Sequence, residues 1–399
     1  MRLFRIAIVS VATIYMIYSC DMPDYKRAAE RIDSLLSERY LDDEPGAAII
    51  VADGDRVIID KGYGLADLSS AEKIDGKTMF NIASLSKQFT SVGILRLQEM
   101  GKLSVDDSVA KFFPEFPSPR WREIQLRHLL SHSSGVPDAR NHSHEESLSV
   151  TDAESIEYMT DLKDFKFSPG TQYDYINPTF DLLGIIIGKA SGMDFENFQK
   201  EQVFAPSGMK DILYFSPALT IKNMAHGYVS RDSAKRSGSD SDSEKSNDGL
   251  HYGFHDSEGK EWAEFDYGEE TYFATKADGG IYTCTRELLQ WENALRNNLC
   301  ISESSLNEAY SKHTKVSGSK FCDYQNRPYT WYGYGWFTDE TPGRPLKVYH
   351  TGDNGGFQSY IAKFPGTDVN VIMLENRNDF DRWSTQTAIE NILIEEGIL

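Results

Sequence analysis

Basic residues are in short supply: 41 Lys and Arg stand against 61 Asp and Glu in a 399-residue chain, a formal net charge of −20. That deficit argues against nucleic acid or an anionic membrane surface as a partner, and any substrate carboxylate must be recognised locally. Cysteine is scarce too. Beyond Cys20 the chain has only Cys284, Cys300 and Cys322, an odd set with no metal-site spacing. One pair, such as Cys300 with Cys322, can form in an oxidising compartment. There is no His-Glu-x-x-His pattern, no phosphate-cradling glycine loop and no Gly-x-Ser-x-Gly elbow, and the last absence lowers an α/β-hydrolase. His142, His144, Glu145 and Glu146 read as a polar loop rather than a ligand set. No cofactor and no metal are implied. The apolar run Ile6 to Tyr18 is too short for a comfortable membrane span.

What is present is a folded chain. Hydrophobic content of 40% with 12% aromatics supports a sizeable core. At the N-terminus, Arg2 and Arg5 precede the apolar run, which ends at Ser19-Cys20. This layout reads as a signal peptide over residues 1–20. Its end resembles a bacterial lipobox, with Tyr18 bulkier than that motif prefers. The expectation is an exported lipoprotein, lipidated at Cys20, on the periplasmic side of a bacterial membrane. Its only membrane contact would be that anchor.

Residues 25–40 read as an amphipathic helix. Gly46 to Ala52 and Val57 to Ile59 flank Asp53-Gly54-Asp55, a strong hairpin signal. The middle, about 111–299, reads as helices and loops, including Leu126 to Leu130 and Leu182 to Gly188. Residues 230–262 are rich in Ser, Asp, Glu and Lys and read as a mobile acidic insertion. The tail returns to strands at Tyr332 to Phe337, Val348 to His350, Ser359 to Phe364 and Val369 to Leu374, then a helix from Thr385 to Glu396. The fold class is therefore α+β. One domain, 25–399, has an antiparallel sheet built from both chain ends, about 25–110 and 300–399, around the helical insertion.

The chain is organised around Phe80 to Phe89. Ile82, Leu85, Phe89, Val92 and Leu95 recur at helical steps and predict one buried stripe. Ser84 and Lys87 stand three apart, so they are neighbours on one helix face. A serine needs a base to take its proton, and burial moves a lysine towards the neutral form that can do so. The Ser84 N–H sits at the positive end of the helix, where an oxyanion is stabilised. Ser-x-x-Lys is nonetheless cheap: it occurs six times, starting at Ser70, Ser84, Ser108, Ser207, Ser257 and Ser317. Only the Ser84 copy opens a strongly apolar helix.

Two further stretches raise its odds. Ser168 to Pro178 presents Tyr175 and Asn177 just before a buried helix. A phenol near an ammonium can move a proton, and an amide can bind a substrate carbonyl. His350-Thr351-Gly352-Asp353 follows one strand and leads into another, and glycine there lets a substrate lie against the strand edge. In this order, Ser84-x-x-Lys87, Tyr175-x-Asn177 and His350-Thr351-Gly352 resemble the three motifs of the serine β-lactamase and penicillin-binding-protein family, on its class C and DD-peptidase branch. His128 to Pro137, Gly101 to Asp107 and Gly279 to Thr283 also look like family signatures. The resemblance covers roughly residues 30–395.

It implies a β-lactamase/transpeptidase-like fold and an acyl-enzyme mechanism. Ser84 attacks an amide or ester carbonyl, with Lys87 and Tyr175 moving the proton and either serving as base. The N–H groups of Ser84 and Asp353 hold the oxyanion, and Asn177 orients the substrate. His350 stands where lactam-hydrolysing relatives often carry lysine, and the His-Thr-Gly form looks more like the DD-carboxypeptidase side. The expected activity is on D-amino-acid peptides of the cell wall or on β-lactams. Two alternatives remain: an esterase on small acyl esters, and a penicillin-binding or sensor protein that is acylated without turnover.

Overall fold

The computed structural model describes residues 23–216, 218–230, 262–264, 272–316, 328–379 and 382–399. The leader with Cys20, residues 231–261 of the acidic stretch, and Cys322 lie outside the described residues. The ends of that stretch are strand. Tyr228–Ser230 pairs antiparallel with Trp262–Glu264. Cys284 and Cys300 are both buried free thiols.

Parity along two neighbouring strands builds the frame. Ala47–Asp53 and Val369–Glu375 are antiparallel neighbours, with Ile49 opposite Met373 and Val51 opposite Val371. Successive side chains point to opposite faces. Ala47, Ile49 and Val51 therefore share one core with Ala28, Ile32, Leu36, Ile389 and Leu393. Ala48 and Ile50 share the other with Phe89, Val92 and Leu95. The terminal helices Tyr25–Arg39 and Arg382–Glu395 close the first face, tied by Arg31 to Glu395 and Glu396 at 2.6 Å each.

The sheet has eight antiparallel strands in the order Thr314–Lys315, Thr330–Tyr332, Phe337–Asp339, Lys347–Asn354, Phe357–Lys363, Val369–Glu375, Ala47–Asp53 and Arg56–Tyr63. Both chain ends meet in it, where its sixth strand, Val369–Glu375, pairs with its seventh, Ala47–Asp53. The stretch read as one strand over 332–337 is instead a hairpin. Its turn carries Tyr334 and Trp336, at most 1% exposed. Those aromatics give the turn the look of a strand. The turn packs on the next layer, where a Cβ at Gly335 (φ 86°) would meet Ser91 Oγ at 2.5 Å.

Behind the sheet lies the helix Ser86–Glu99. The predicted apolar stripe is buried, but so is nearly every other side chain through Leu97, because the helix is sandwiched between the sheet and the helical region. Phe89 packs on Trp291 with ring centroids 4.3 Å apart, and Trp291 Nε1 donates to Gln88 Oε1 at 3.1 Å. The helix Pro178–Ser191 crosses it, and Gly93 makes room: a Cβ there would meet Ile187 at 2.9 Å. The segment read as a loop near His142 includes a short capped helix, His144–Ser147.

The helix Pro178–Ser191 carries Asp181, which is fully buried and accepts a 2.5 Å hydrogen bond from Ser155 Oγ. Burial, then the charges of Asp278 and Asp152, hold its carboxyl well above the usual range. The folded chain thus keeps a proton that the unfolded chain releases above about pH 4. Stability from this group is full below that point and is lost as pH rises. Unfolding free energy, measured by denaturant titration from pH 4 to 7, should fall with a slope of up to about 1.4 kcal/mol per pH unit for this one proton. Asp181→Asn should flatten that fall.

Candidate active site

The lead-in to Ser84 is fixed by a small sheet. Phe80–Asn81 pairs with Ile281–Thr283, which also pairs with Ile212–Tyr214. Asn81 Oδ1 then accepts from the Ala83 N–H at 2.8 Å, and Ala83 takes a left-handed φ of 47°. A non-glycine residue there signals a backbone bent for a purpose. The bend sets Ser84 in a short 3₁₀ turn, Ala83–Leu85, that runs into the helix Ser86–Glu99.

Lys87, one turn on, is 0% exposed. Its Nζ lies 3.0 Å from Ser84 Oγ and 2.7 Å from the carbonyl oxygen of Asp278. The Tyr175 ring centroid is 5.1 Å from that nitrogen and the Phe180 centroid 5.6 Å. The Asp278 carbonyl is itself held in place. Thr90 Oγ1 donates to Ala277 O at 2.6 Å, and Asp152 Oδ1 accepts from the Lys276 and Ala277 N–H groups. Other Ser-x-x-Lys copies behave differently: Lys73, Lys111 and Lys210 are all exposed. Burial separates the Ser84 copy from these.

Tyr175 and Asn177 arrive just before the helix Pro178–Ser191. Asn177 is its N-cap, with proline in the first turn, where a missing N–H costs nothing. Asn177 Oδ1 is buried and has no hydrogen-bond partner among the described residues.

The strand Lys347–Asn354 brings the third group. Its neighbour Phe337–Asp339 pairs only as far as Tyr349, so the portion from His350 onwards faces the Ser84 turn instead. The two-residue turn Gly355-Gly356 makes Asn354 and Phe357 the closing hydrogen-bonded pair. Alternation then directs the backbone groups of Thr351 and Asp353 to the edge facing Ser84. Gly352 permits the close approach: a Cβ there would lie 2.4 Å from Ile82 O and 3.0 Å from Ala83 Cβ. Ser359 Oγ ties the same Ile82 carbonyl at 2.8 Å.

Ser84, Asn177 and Asp353 line one small cleft together with Ala83, Arg140, Tyr272, Asp278, Gly279 and Asn354. The Asp353 side chain is exposed, and Thr351 is buried. His350 is not among the lining residues. It is 1% exposed, with Nδ1 2.6 Å from Thr351 O and Nε2 2.9 Å from Tyr332 Oη. A carbonyl only accepts, so Nδ1 carries a proton. Those two contacts make the histidine a strut between strands. Arg140 was invisible in the sequence, where it is one loop residue among many. Its guanidinium forks onto Asp138 at 3.0 and 2.7 Å and lies 3.8 Å from the Tyr272 ring centroid. A positive group and the negative Asp353 thus face the same cleft. No cluster of three or more His, Cys, Asp or Glu suited to a metal ion occurs among the described residues.

The family model described as Beta-lactamase matches residues 36–392. The chain belongs to the beta-lactamase family. This is a family of serine-hydrolase type, with the β-lactamase/transpeptidase-like fold. A penicillin-binding protein of Bacillus subtilis is 26% identical over 345 residues, 83% of this chain and 68% of the relative. The flp protein of Staphylococcus aureus is 25% identical, with 84% of this chain matching 60% of that one. Among solved structures, a penicillin-binding protein homologue from Pyrococcus abyssi superposes with a TM-score of 0.71 at 24% identity, covering 94% of this chain and 78% of that one. D-amino acid amidase from Ochrobactrum anthropi gives 0.71 at 21% identity, covering 93% and 99%. These structural likenesses carry the beta-lactamase fold, and a fold hosts many substrates.

The tight seat of Gly352 gives a test of the geometry. Gly352→Ala should push the Ile82–Ser84 backbone away from the strand and destabilise the protein by about 1–3 kcal/mol. Denaturant unfolding measures this, and an unchanged midpoint contradicts the packing described.

Proposed function

We propose that this protein is an acyl-enzyme-forming serine hydrolase of D-amino-acid peptides, with β-lactams as acylating analogues of that substrate. The observation that carries the reading is the 3.0 Å contact of a fully buried Lys87 Nζ with Ser84 Oγ. One Nζ proton is committed to the Asp278 carbonyl. In the neutral amine this leaves the lone pair to take the hydroxyl proton as Ser84 Oγ bonds to the substrate carbonyl carbon. Tyr175, its ring centroid 5.1 Å from the same nitrogen, passes the proton on through its phenol to the leaving amine. The oxyanion falls between the N–H of Ser84 and that of Asp353, which the strand directs at the cleft. Asn177 Oδ1 accepts from the substrate amide N–H. Water then cleaves the acyl-enzyme, restoring the serine.

Three things support the substrate class: the His350-Thr351-Gly352 form, a penicillin-binding relative and a structural neighbour named as a D-amino acid amidase. An exported, Cys20-lipidated protein, as the leader suggests, would meet such peptides at the cell wall. The same residues would also turn over small acyl esters.

Intact-protein mass spectrometry after exposure to penicillin should show one adduct, absent in Ser84→Ala. Adduct in Ser84→Ala, or none with penicillin, a D-Ala-D-Ala peptide or a p-nitrophenyl ester, overturns the proposal. Loss of the adduct over minutes would mark a lactamase, and persistence a peptidase or sensor. Asp353 should repel a free substrate carboxylate. Asp353→Ser should raise the rate on carboxylated relative to neutral substrates about fivefold, as expected for one charge contact of about 1 kcal/mol near water. An unchanged ratio removes Asp353 from substrate selection.

A further inference from the structure

The signature His128 to Pro137 takes no part in the chemistry above, yet one of its residues is built into the site. His132 is 1% exposed and has a left-handed φ of 51°, a conformation that costs a non-glycine residue about 1 kcal/mol or more. Its contacts show what that bend achieves. The His132 carbonyl accepts from the Asp174 N–H at 2.9 Å, and its Nδ1 accepts from the Ile176 N–H at 3.2 Å. These two bonds bracket Tyr175. Between them the imidazole lies against the Tyr175 ring, with centroids 4.1 Å apart and planes 33° from parallel. Phe180 at 5.1 Å and Tyr332 at 4.8 Å close around the imidazole. The rest of the signature is fastened to the same segment: the Gly170 N–H donates to Ser133 O and the Lys166 N–H to Gly135 O, both at 2.8 Å.

We propose that His132 is a positioning residue for Tyr175, clamping the phenol beside Lys87 through its carbonyl, its Nδ1 and its ring face. This rests on the reading that Tyr175 moves the proton during acylation. The clamp requires neutral imidazole, because Nδ1 must accept. Burial and the nearby Lys87 and His350 favour that form by holding the ring well below the usual histidine range. A protonated ring would lose the Ile176 bond. An ångström of misplacement at a reacting group costs on the order of 100-fold in rate, so the clamp's effect should appear in the rate of acylation and not in substrate binding.

The test uses the acylation rate constant and the substrate dissociation constant, both from stopped-flow ring opening of a chromogenic β-lactam, whose leaving nitrogen needs the proton that Tyr175 passes on. His132→Ala should lower the rate constant roughly 100-fold and leave the dissociation constant within about threefold. His132→Asn tolerates the left-handed backbone and presents Oδ1 in place of Nδ1, so it should recover at least about tenfold of that loss. His132→Phe keeps a ring but has no acceptor, and should recover less than Asn. In a Tyr175→Phe background, His132→Ala should cost less than about threefold, because the group it positions has gone. Equal losses in both backgrounds, or Asn no better than Ala, overturn the proposal. If His132→Ala does not fold, the comparison of Asn with Phe in both backgrounds decides. Crystal structures separate this idea from the one beneath it. A Tyr175 ring displaced in His132→Ala supports the clamp even if Tyr175→Phe acylates normally, an outcome that refutes only the role given to Tyr175. A ring left in place refutes the clamp.

Discussion

Everything in this site follows from putting a lysine where water is not. Lys87 is wholly enclosed by the helix that carries it, the turn at Asp278 and the rings of Tyr175 and Phe180. Burying an ammonium is among the costliest acts in a fold unless its protons are taken up. The rigid surroundings answer that demand. The residues just before Asp278 are pinned by Thr90 and Asp152, and Ser84 Oγ is brought within 3.0 Å by a strained residue just before it.

The architecture makes such an enclosure possible because it gathers distant pieces of chain at one sheet margin. The strand Lys347–Asn354 outruns its neighbour, and the portion beyond it receives the Ser84 turn across a contact only glycine allows. From the other side the helical region delivers Tyr175 and Asn177, with the Tyr175 segment latched to His132 and its flanking turn. Each motif is therefore held by a partner far away in sequence: Ser359 for the Ser84 turn, Thr90 for Ala277 next to the carbonyl that takes the lysine's proton, His132 for the tyrosine.

Much of this was legible in the residues. The hairpin at Asp53-Gly54-Asp55, the strands drawn from both ends and the apolar helix after Ser84 all follow from local periodicity and turn chemistry. Ser84 with Lys87 was harder, because the same triplet spacing recurs and only burial sets this copy apart from Lys73, Lys111 and Lys210. Three things lay beyond local pattern. The hairpin at Thr330–Asp339 hid behind aromatics that pack on another layer. The helix Ser86–Glu99 was read as one-sided because periodicity cannot count how many layers cover it. Arg140, Tyr272 and Asp278 enter the cleft from turns whose meeting is purely tertiary. His350 stood out in its motif, but its role as a strut depends on Tyr332, 18 residues away.

The central claim is that the enclosed amine of Lys87 drives acylation of Ser84. Its most direct test is the single-turnover acylation rate of Lys87→Ala, with folding verified by thermal unfolding. The account predicts a fall of roughly 10²–10⁴-fold, the range for loss of a positioned proton acceptor, with substrate still bound. A folded Lys87→Ala that acylates within a few fold of the native protein would contradict it.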